Sequence, residues 1–164
     1  MSAAHGSRLQ AMIARLAAQR AHLDDAAARI AAVPGPVLEI GLGKGRTYDH
    51  LRRRLPDRRI LVFDGSLHAP ADLHPPAADL VLGDFRDTLP AAAGSLARAA
   101  LIHADIGSDD RAADRRLASA IAPWLADLLA PAGLLLSDRP MPSPALVPAD
   151  APATAWPYYR YRLG

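Results

Sequence analysis

The chain has 164 residues, with 19 Lys plus Arg against 17 Asp plus Glu and a formal charge of +2. So slight an excess, carried almost wholly by arginine and without interleaved aromatics, argues against a nucleic-acid-binding face. Cysteine is absent, which excludes disulfides, thiolate nucleophiles and cysteine-ligated metals.

No apolar run reaches the ~18 residues of a membrane span, and Met1–Gln10 lacks the basic-then-apolar order of a signal peptide. These features predict a cytoplasmic protein with no membrane partner. The length suits one domain over residues 1–164, comprising an N-terminal helix within 1–33, a central unit, and a proline-rich arm over 139–164.

In chain order, Leu9, Met12, Ile13, Leu16, Leu23, Ala27 and Ile30 recur at helical spacing and predict an amphipathic helix from Ser7 to Ala32. Pro34–Pro36 end it, because proline lacks the amide donor and extends its predecessor. Val37–Ile40 reads as a strand running into glycines, and Thr47–Leu55 as a helix. Arg59–Asp64, Ala78–Phe85 and Arg98–Gly107 read as strands two to four. The last of these follows a helix-poor connection containing Pro90 and Gly94. Asp114–Ala130 reads as a helix and Gly133–Asp138 as a fifth strand. Short apolar strands between helix-length connectors predict an α/β fold, a doubly wound and mostly parallel sheet with helices on both faces. Residues 139–152 are rich in proline and read as an irregular arm, followed by an aromatic C-terminal segment, and the 26 residues after Asp138 are few for two further strands with a helix between them.

Gly41, Gly43 and Gly45 stand where the first strand turns into the first helix, the position at which such sheets bind ligands. Glycine there lets the backbone approach a ligand closely, and the helix start offers free amides. The dinucleotide fingerprint needs a third glycine where Arg46 stands, and no G-K-[ST] triphosphate signature occurs. Neither pyrophosphate nor triphosphate fits.

The run Glu39–Gly45, "EIGLGKG", resembles motif I of the class I S-adenosylmethionine-dependent methyltransferases. Asp64 closes strand two 23 residues after Gly41, "LGDF" (Leu82–Phe85) follows strand three, "LIHADIG" lies at strand four, and Leu128–Asp138 resembles the turn before strand five. From Leu38 to Asp138 the chain also resembles a small bacterial methyltransferase family of unassigned acceptor. The resemblance implies a Rossmann-like fold and S-adenosyl-L-methionine as cofactor.

It further implies roles for single residues. Gly41, Gly43 and Gly45 would admit the methionine end, Asp64 would hold the ribose hydroxyls, and Asp84 with Phe85 would receive the adenine. Asp84 is equally able to cap a turn, and Phe85 to be a core residue. Glu39 either reaches loop amides and the cofactor ammonium or is a strand-end residue. Tyr48 either lines the methionine pocket or fills the core, and Lys44 or Arg46 is placed to meet the cofactor carboxylate. His103 and Asp105 are the candidate catalytic pair. His103 is either a base facing the acceptor or a buried, hydrogen-bonded histidine. Asp105 and Asp138 are similar in position to metal carboxylates of catechol-type enzymes, but Arg139 beside them disfavours a cation, so no metal is expected. Asp109 and Asp110 read as caps of the next helix, and the arginines of Arg111–Arg116 as a solvated helix face.

The functional expectation is therefore methyl transfer to a small-molecule acceptor, with alignment as the main requirement. The alternative is a non-catalytic protein that binds the cofactor. The apolar stripe Leu9–Ile30 allows a homodimer through the N-terminal helix, or packing on the protein's own sheet.

Overall fold

The structure, a computed structural model, describes residues 6–164. Residues 1–5, on which the leader expectation partly rests, lie outside the described residues. Helix α1 (Arg8–Arg29) starts at a capping box, in which Ser7 Oγ accepts from the Gln10 amide and Gln10 Oε1 accepts from the Ser7 amide. Then come β1 (Val37–Ile40), α2 (Arg46–Arg54), β2 (Ile60–Asp64), β3 (Leu80–Leu82), α3 (Phe85–Ala93), β4 (Ala99–Ala104), α4 (Arg111–Leu128), β5 (Leu129–Ser137), β6 (Leu146–Pro148) and β7 (Tyr159–Leu163). Two short 3₁₀ turns, Ala71–Leu73 and Ala77–Asp79, connect β2 to β3.

The strands form one sheet in the order β3-β2-β1-β4-β5-β7-β6, parallel except for β7, which runs antiparallel to both neighbours. The chain moves outward from β1 to β3 and then crosses back to β4, so strand order reverses between β1 and β4. A crevice opens there at the carboxyl edge. All four residues of β1 and all six of β4 are buried, which explains why they are apolar except at Glu39 and His103.

On one face, Leu23, Ala26 and Ile30 of α1 and Leu51 of α2 pack on Val37, Val62 and Leu101. On the other, Leu89 of α3 with Ile121 and Leu125 of α4 pack on Leu38, Ile40, Ile102 and Leu135. Each such fully buried Leu or Ile stabilises the fold by about 1.5–3 kcal/mol. The expected two-faced sheet, preceded by a helix, is thus the observed one.

Two expectations are corrected. The connection before β4 is not helix-poor: Asp84 caps α3 at the Arg86 amide, and Phe85, Leu89 and Ala92 form an inward stripe at helical spacing. Pro90 removes only the hydrogen bond to the carbonyl of Arg86, an exposed residue, and Gly94 is the C-cap. Nor is the C-terminal segment irregular throughout. "YRYRL" alternates as a strand, turning Tyr161 and Leu163 toward the α3–α4 face while Arg160 is buried on the other. A hairpin-like pair thereby completes the sheet without an intervening helix. Boundaries also move: β3 shrinks to Leu80–Leu82 with Phe85 starting α3, β4 ends at Ala104, α4 begins at Arg111, where Asp110 accepts from the Ala112 and Ala113 amides, and β5 already begins at Leu129.

Helix α1 is buried only in its second half. Leu9, Met12, Ile13 and Leu16 are exposed although they continue the same stripe. Arg58, which donates to the Ile30, Val33 and Gly35 carbonyls, fixes the end of α1 at the amino edge of the sheet. The exposed first turns therefore lie toward the carboxyl edge, over the crevice.

Candidate functional site

The three glycines of the loop all have positive φ: 92° at Gly41, 52° at Gly43 and 78° at Gly45. Their surroundings differ. A Cβ on Gly41 would meet the Asp105 carbonyl oxygen at 2.2 Å, so this glycine lets the loop lie against the end of β4. Gly45 is the left-handed N-cap of α2. Gly43 has no atom within 4 Å of its missing Cβ, and its open side belongs to the crevice. Asp64 supports this loop, its Oδ2 accepting from the Leu42 amide at 2.7 Å and the Gly43 amide at 3.1 Å. Its Oδ1 has only the Ser66 amide, at 3.3 Å.

Beneath the loop lies a polar set whose centre, Glu39 and His103, is fully buried. Glu39 accepts from Thr47 Oγ1 and from His103 Nδ1, the latter at 2.9 Å. His103 Nε2 meets the Tyr158 hydroxyl. Burial pushes the histidine pKa down, but Glu39, helped by Asp105 and Asp138, outweighs that and leaves it above its usual 6.5. The Nδ1–H donates to Glu39 and Nε2 pairs with the Tyr158 hydroxyl, so both ring nitrogens are satisfied. Burial also pushes the Tyr158 hydroxyl well above its usual 10, so it keeps its proton. The expectation that His103 faces the acceptor is corrected: its side chain is fully buried and both nitrogens are occupied, which is the buried, hydrogen-bonded alternative. Glu39 likewise serves Thr47 and His103 rather than the loop amides.

Above the loop, the crevice encloses about 210 Å³ between the Gly41–Thr47 segment, Asp105 and one side of α1. Met12, Arg15, Leu16 and Gln19 supply that side. Arg15 donates to both Asp105 oxygens, at 2.9 and 3.1 Å, and Gln19 Nε2 donates to Oδ2 at 2.7 Å. Asp105, expected in the site, is there. Lys44 and Arg46 line the same space. Arg15 and Gln19 were missed by sequence reasoning. The available signal was their i, i+4 spacing beside the apolar stripe, which places both on one helix face.

The remaining candidates lie outside this enclosed space. Tyr48 is buried in the α1–α2 face of the core, with the Arg52 guanidinium 5.6 Å from its ring centroid, so the core alternative is the observed one. Asp84 caps α3 and pairs with Arg86, and Phe85 packs half-buried against the opposite core. Both nevertheless follow β3 at the carboxyl edge, on the Asp64 side of the loop. Asp138 accepts from the Ile106 amide and from Arg139, which also pairs with Asp114. No cluster of three His, Cys, Asp or Glu side chains suited to a metal occurs among the described residues.

This geometry agrees with what the chain is similar to. A profile of the S-adenosyl-L-methionine methyltransferase family matches residues 6–163. The crystal structure of an S-adenosyl-L-methionine methyl transferase from Silicibacter pomeroyi DSS-3 is 40% identical and superposes with a TM-score of 0.91, over 98% of this chain and 100% of that one. A sugar N-methyltransferase from Streptoalloteichus sp. ATCC 53650 shares the fold at 21% identity and a TM-score of 0.52, over 84% of this chain and 56% of that one. Human methyltransferase-like protein 13, in complex with S-adenosylhomocysteine, does so at 19% and 0.51, over 80% and 64%. No functionally curated protein matches. Glycine loop, strand order and a family match across nearly the whole length converge: the chain belongs to the S-adenosyl-L-methionine methyltransferases, and S-adenosyl-L-methionine is its methyl donor.

Proposed function

We propose that the donor lies across the glycine loop at the carboxyl edge, and that the acceptor is a small molecule. The observation that carries this reading is the crevice shared by Gly41–Thr47, Asp105 and α1 at the point where strand order reverses. Its 210 Å³ is below the ~300–1,000 Å³ of whole ligand sites, so it suits the amino-acid end, with the nucleoside extending over Asp64 toward Asp84 and Phe85. The residues fit the group. Gly43 leaves a cradle that a side chain would fill, and Asp64 keeps Oδ1 largely free to accept from a hydroxyl pair. Lys44 and Arg46 answer a carboxylate, and Asp105 answers an ammonium.

When bound, the donor would supply a sulfonium methyl for in-line transfer to the acceptor, with the sulfur as leaving group. The protein's part is alignment. The Glu39–His103–Tyr158 set holds β1, β4 and the start of β7 in register below the loop, and the Arg15 and Gln19 bonds to Asp105 hold α1 above it. Calorimetric titration with S-adenosylmethionine, S-adenosylhomocysteine and NADH tests the site. Binding of the first two and not the third is expected, and NADH binding alone would overturn the reading.

The exposed stripe Leu9, Met12, Ile13 and Leu16 supports a homodimer through α1. Light scattering coupled to gel filtration should give twice the chain mass, reverting to one chain on Ile13→Lys. A wild-type monomer would sink this point.

A further inference from the structure

Arg15 and Gly107 line the donor crevice and, equally, a second concavity of about 800 Å³ beyond the carboxyl ends of β4 and β5. That volume lies within the ~300–1,000 Å³ of ordinary ligand sites. Trp156 and Tyr159, both half-buried, form its aromatic lining, and the start of α4 supplies Arg111 and Arg115.

Most charges in this groove already satisfy one another. Arg139 lies between Asp114 at 2.8 Å and Asp138 at 2.7 Å, while Asp114 also accepts from the Ser108 amide and hydroxyl. Arg15 is held by Asp105. Arg111, Arg115 and Asp109 remain, exposed and without an ion pair or side-chain hydrogen bond among the described residues. Arg139 alone answers two carboxylates, so the groove has no net positive excess, and what is left for a ligand is the unpaired Arg111 and Arg115 on the face of α4.

Folding does not favour this arrangement. Arg111 and Arg115 lie four residues apart on one helix face, and like charges at that spacing are destabilising. They also stand at the positive end of the α4 dipole, which disfavours cations. An anion between the two guanidiniums relieves both effects, and a planar ring beside it meets Trp156 and Tyr159.

We propose that this groove receives the methyl acceptor, and that the acceptor is an aromatic compound carrying a carboxylate or phosphate bound by Arg111 and Arg115. This rests on the donor site assigned above, because the groove adjoins it through Arg15 and Gly107. The Arg111–Arg115 face, which reads in sequence as merely solvated, then becomes the part of the protein that selects the acceptor.

The test uses the full chain. S-adenosylhomocysteine is titrated first, and Kd is then measured by ligand-observed NMR for 4-hydroxybenzoate, 4-hydroxyphenyl phosphate, 4-hydroxybenzamide, 4-hydroxybenzylamine and cyclohexanecarboxylate, with and without it. At least one aromatic anion should bind about tenfold tighter than the amide, the scale of one charge-assisted hydrogen bond. The stronger of the benzoate and the phosphate identifies the anionic group. The double variant Arg111→Gln/Arg115→Gln should bind that anion no better than the amide while keeping its S-adenosylhomocysteine affinity and melting no lower than the wild type. Equal binding of anion, amide and amine overturns the proposal, as does a preference that survives the double variant or no detectable binding by any probe. Equal binding of cyclohexanecarboxylate and benzoate overturns its aromatic part. Loss of S-adenosylhomocysteine binding alone, with the anion preference intact, would instead overturn the donor-site reading.

Discussion

Three glycines within five residues have three separate reasons to be glycine. Gly41 yields to the Asp105 carbonyl, Gly45 turns left-handed to start α2, and Gly43 leaves space open to a ligand. Asp64 is tied to this loop through two amides, so it acts both as the loop's support and as the candidate ribose acceptor. Asp64→Ala is expected to weaken S-adenosylhomocysteine binding about 30-fold by calorimetry, on the order of 2 kcal/mol for a lost charge-assisted hydrogen bond. Unchanged affinity would show that Asp64 serves the loop alone.

Two buried histidines set opposite pH limits. His103 has its pKa raised, so its stabilisation is complete below its ordinary 6.5 and is lost as pH rises through the raised value. His22 has its pKa lowered by burial and then by Arg160, and its ring nitrogens have no hydrogen-bond partner among the described residues. Its stabilisation is present above 6.5 and is lost as pH falls through the lowered value. Thermal midpoints followed across pH should therefore peak near 6.5, and His103→Asn should flatten the alkaline side only. An alkaline slope unaltered in that variant would contradict the Glu39–His103 pairing.

At the scale of elements, the last strand and the first helix depend on each other. Arg160 of β7, with a fully buried side chain, donates to Asp25 at 2.6 Å, to the Asp150 carbonyl at 2.9 Å and to the His22 carbonyl at 3.3 Å. Tyr158, beside it, meets His103 under the glycine loop. The C-terminal pair of strands thus anchors the half of α1 that packs on the sheet, while Asp105 holds the half that covers the crevice. Because Asp25 is partly exposed, losing the buried guanidinium and its bonds costs about 3 kcal/mol rather than the full penalty of a buried pair. Arg160→Ala should accordingly lower the thermal midpoint by roughly 10 °C, and calorimetry of the melting transition reads it directly. A shift within error would mean that β7 contributes little to anchoring α1.

For the whole molecule, the formal charge is only +2. None of the helices among the described residues is long and apolar enough to cross a membrane. Because α1, the glycine loop, β4 and the C-terminal strands all meet at one edge, donor binding should stabilise the entire fold. S-adenosylhomocysteine at 100 times its Kd adds about 2.7 kcal/mol, raising the midpoint by roughly 5–10 °C. NADH should leave it unchanged in scanning fluorimetry, and an equal shift from NADH would refute the donor assignment.

Local patterns along the chain were enough for the parallel core, and the resemblance of its motifs to a known family pointed to the kind of ligand. Strand runs, helix stops and the spacing from Gly41 to Asp64 are local patterns, governed by backbone conformation and side-chain periodicity. Pro90 concealed α3 because propensity was read without its Asp84 cap and apolar stripe. The proline-rich composition after Asp138 concealed β6 and β7, although the alternation from Tyr159 to Leu163 was there to read. Only the tertiary structure decided that His103 is buried, that Tyr158 lies beneath it, and that α1 closes the crevice. Arg15 and Gln19 reach Asp105 across 90 and 86 positions of chain. Contacts that distant follow from how packed elements meet, and no local pattern encodes them.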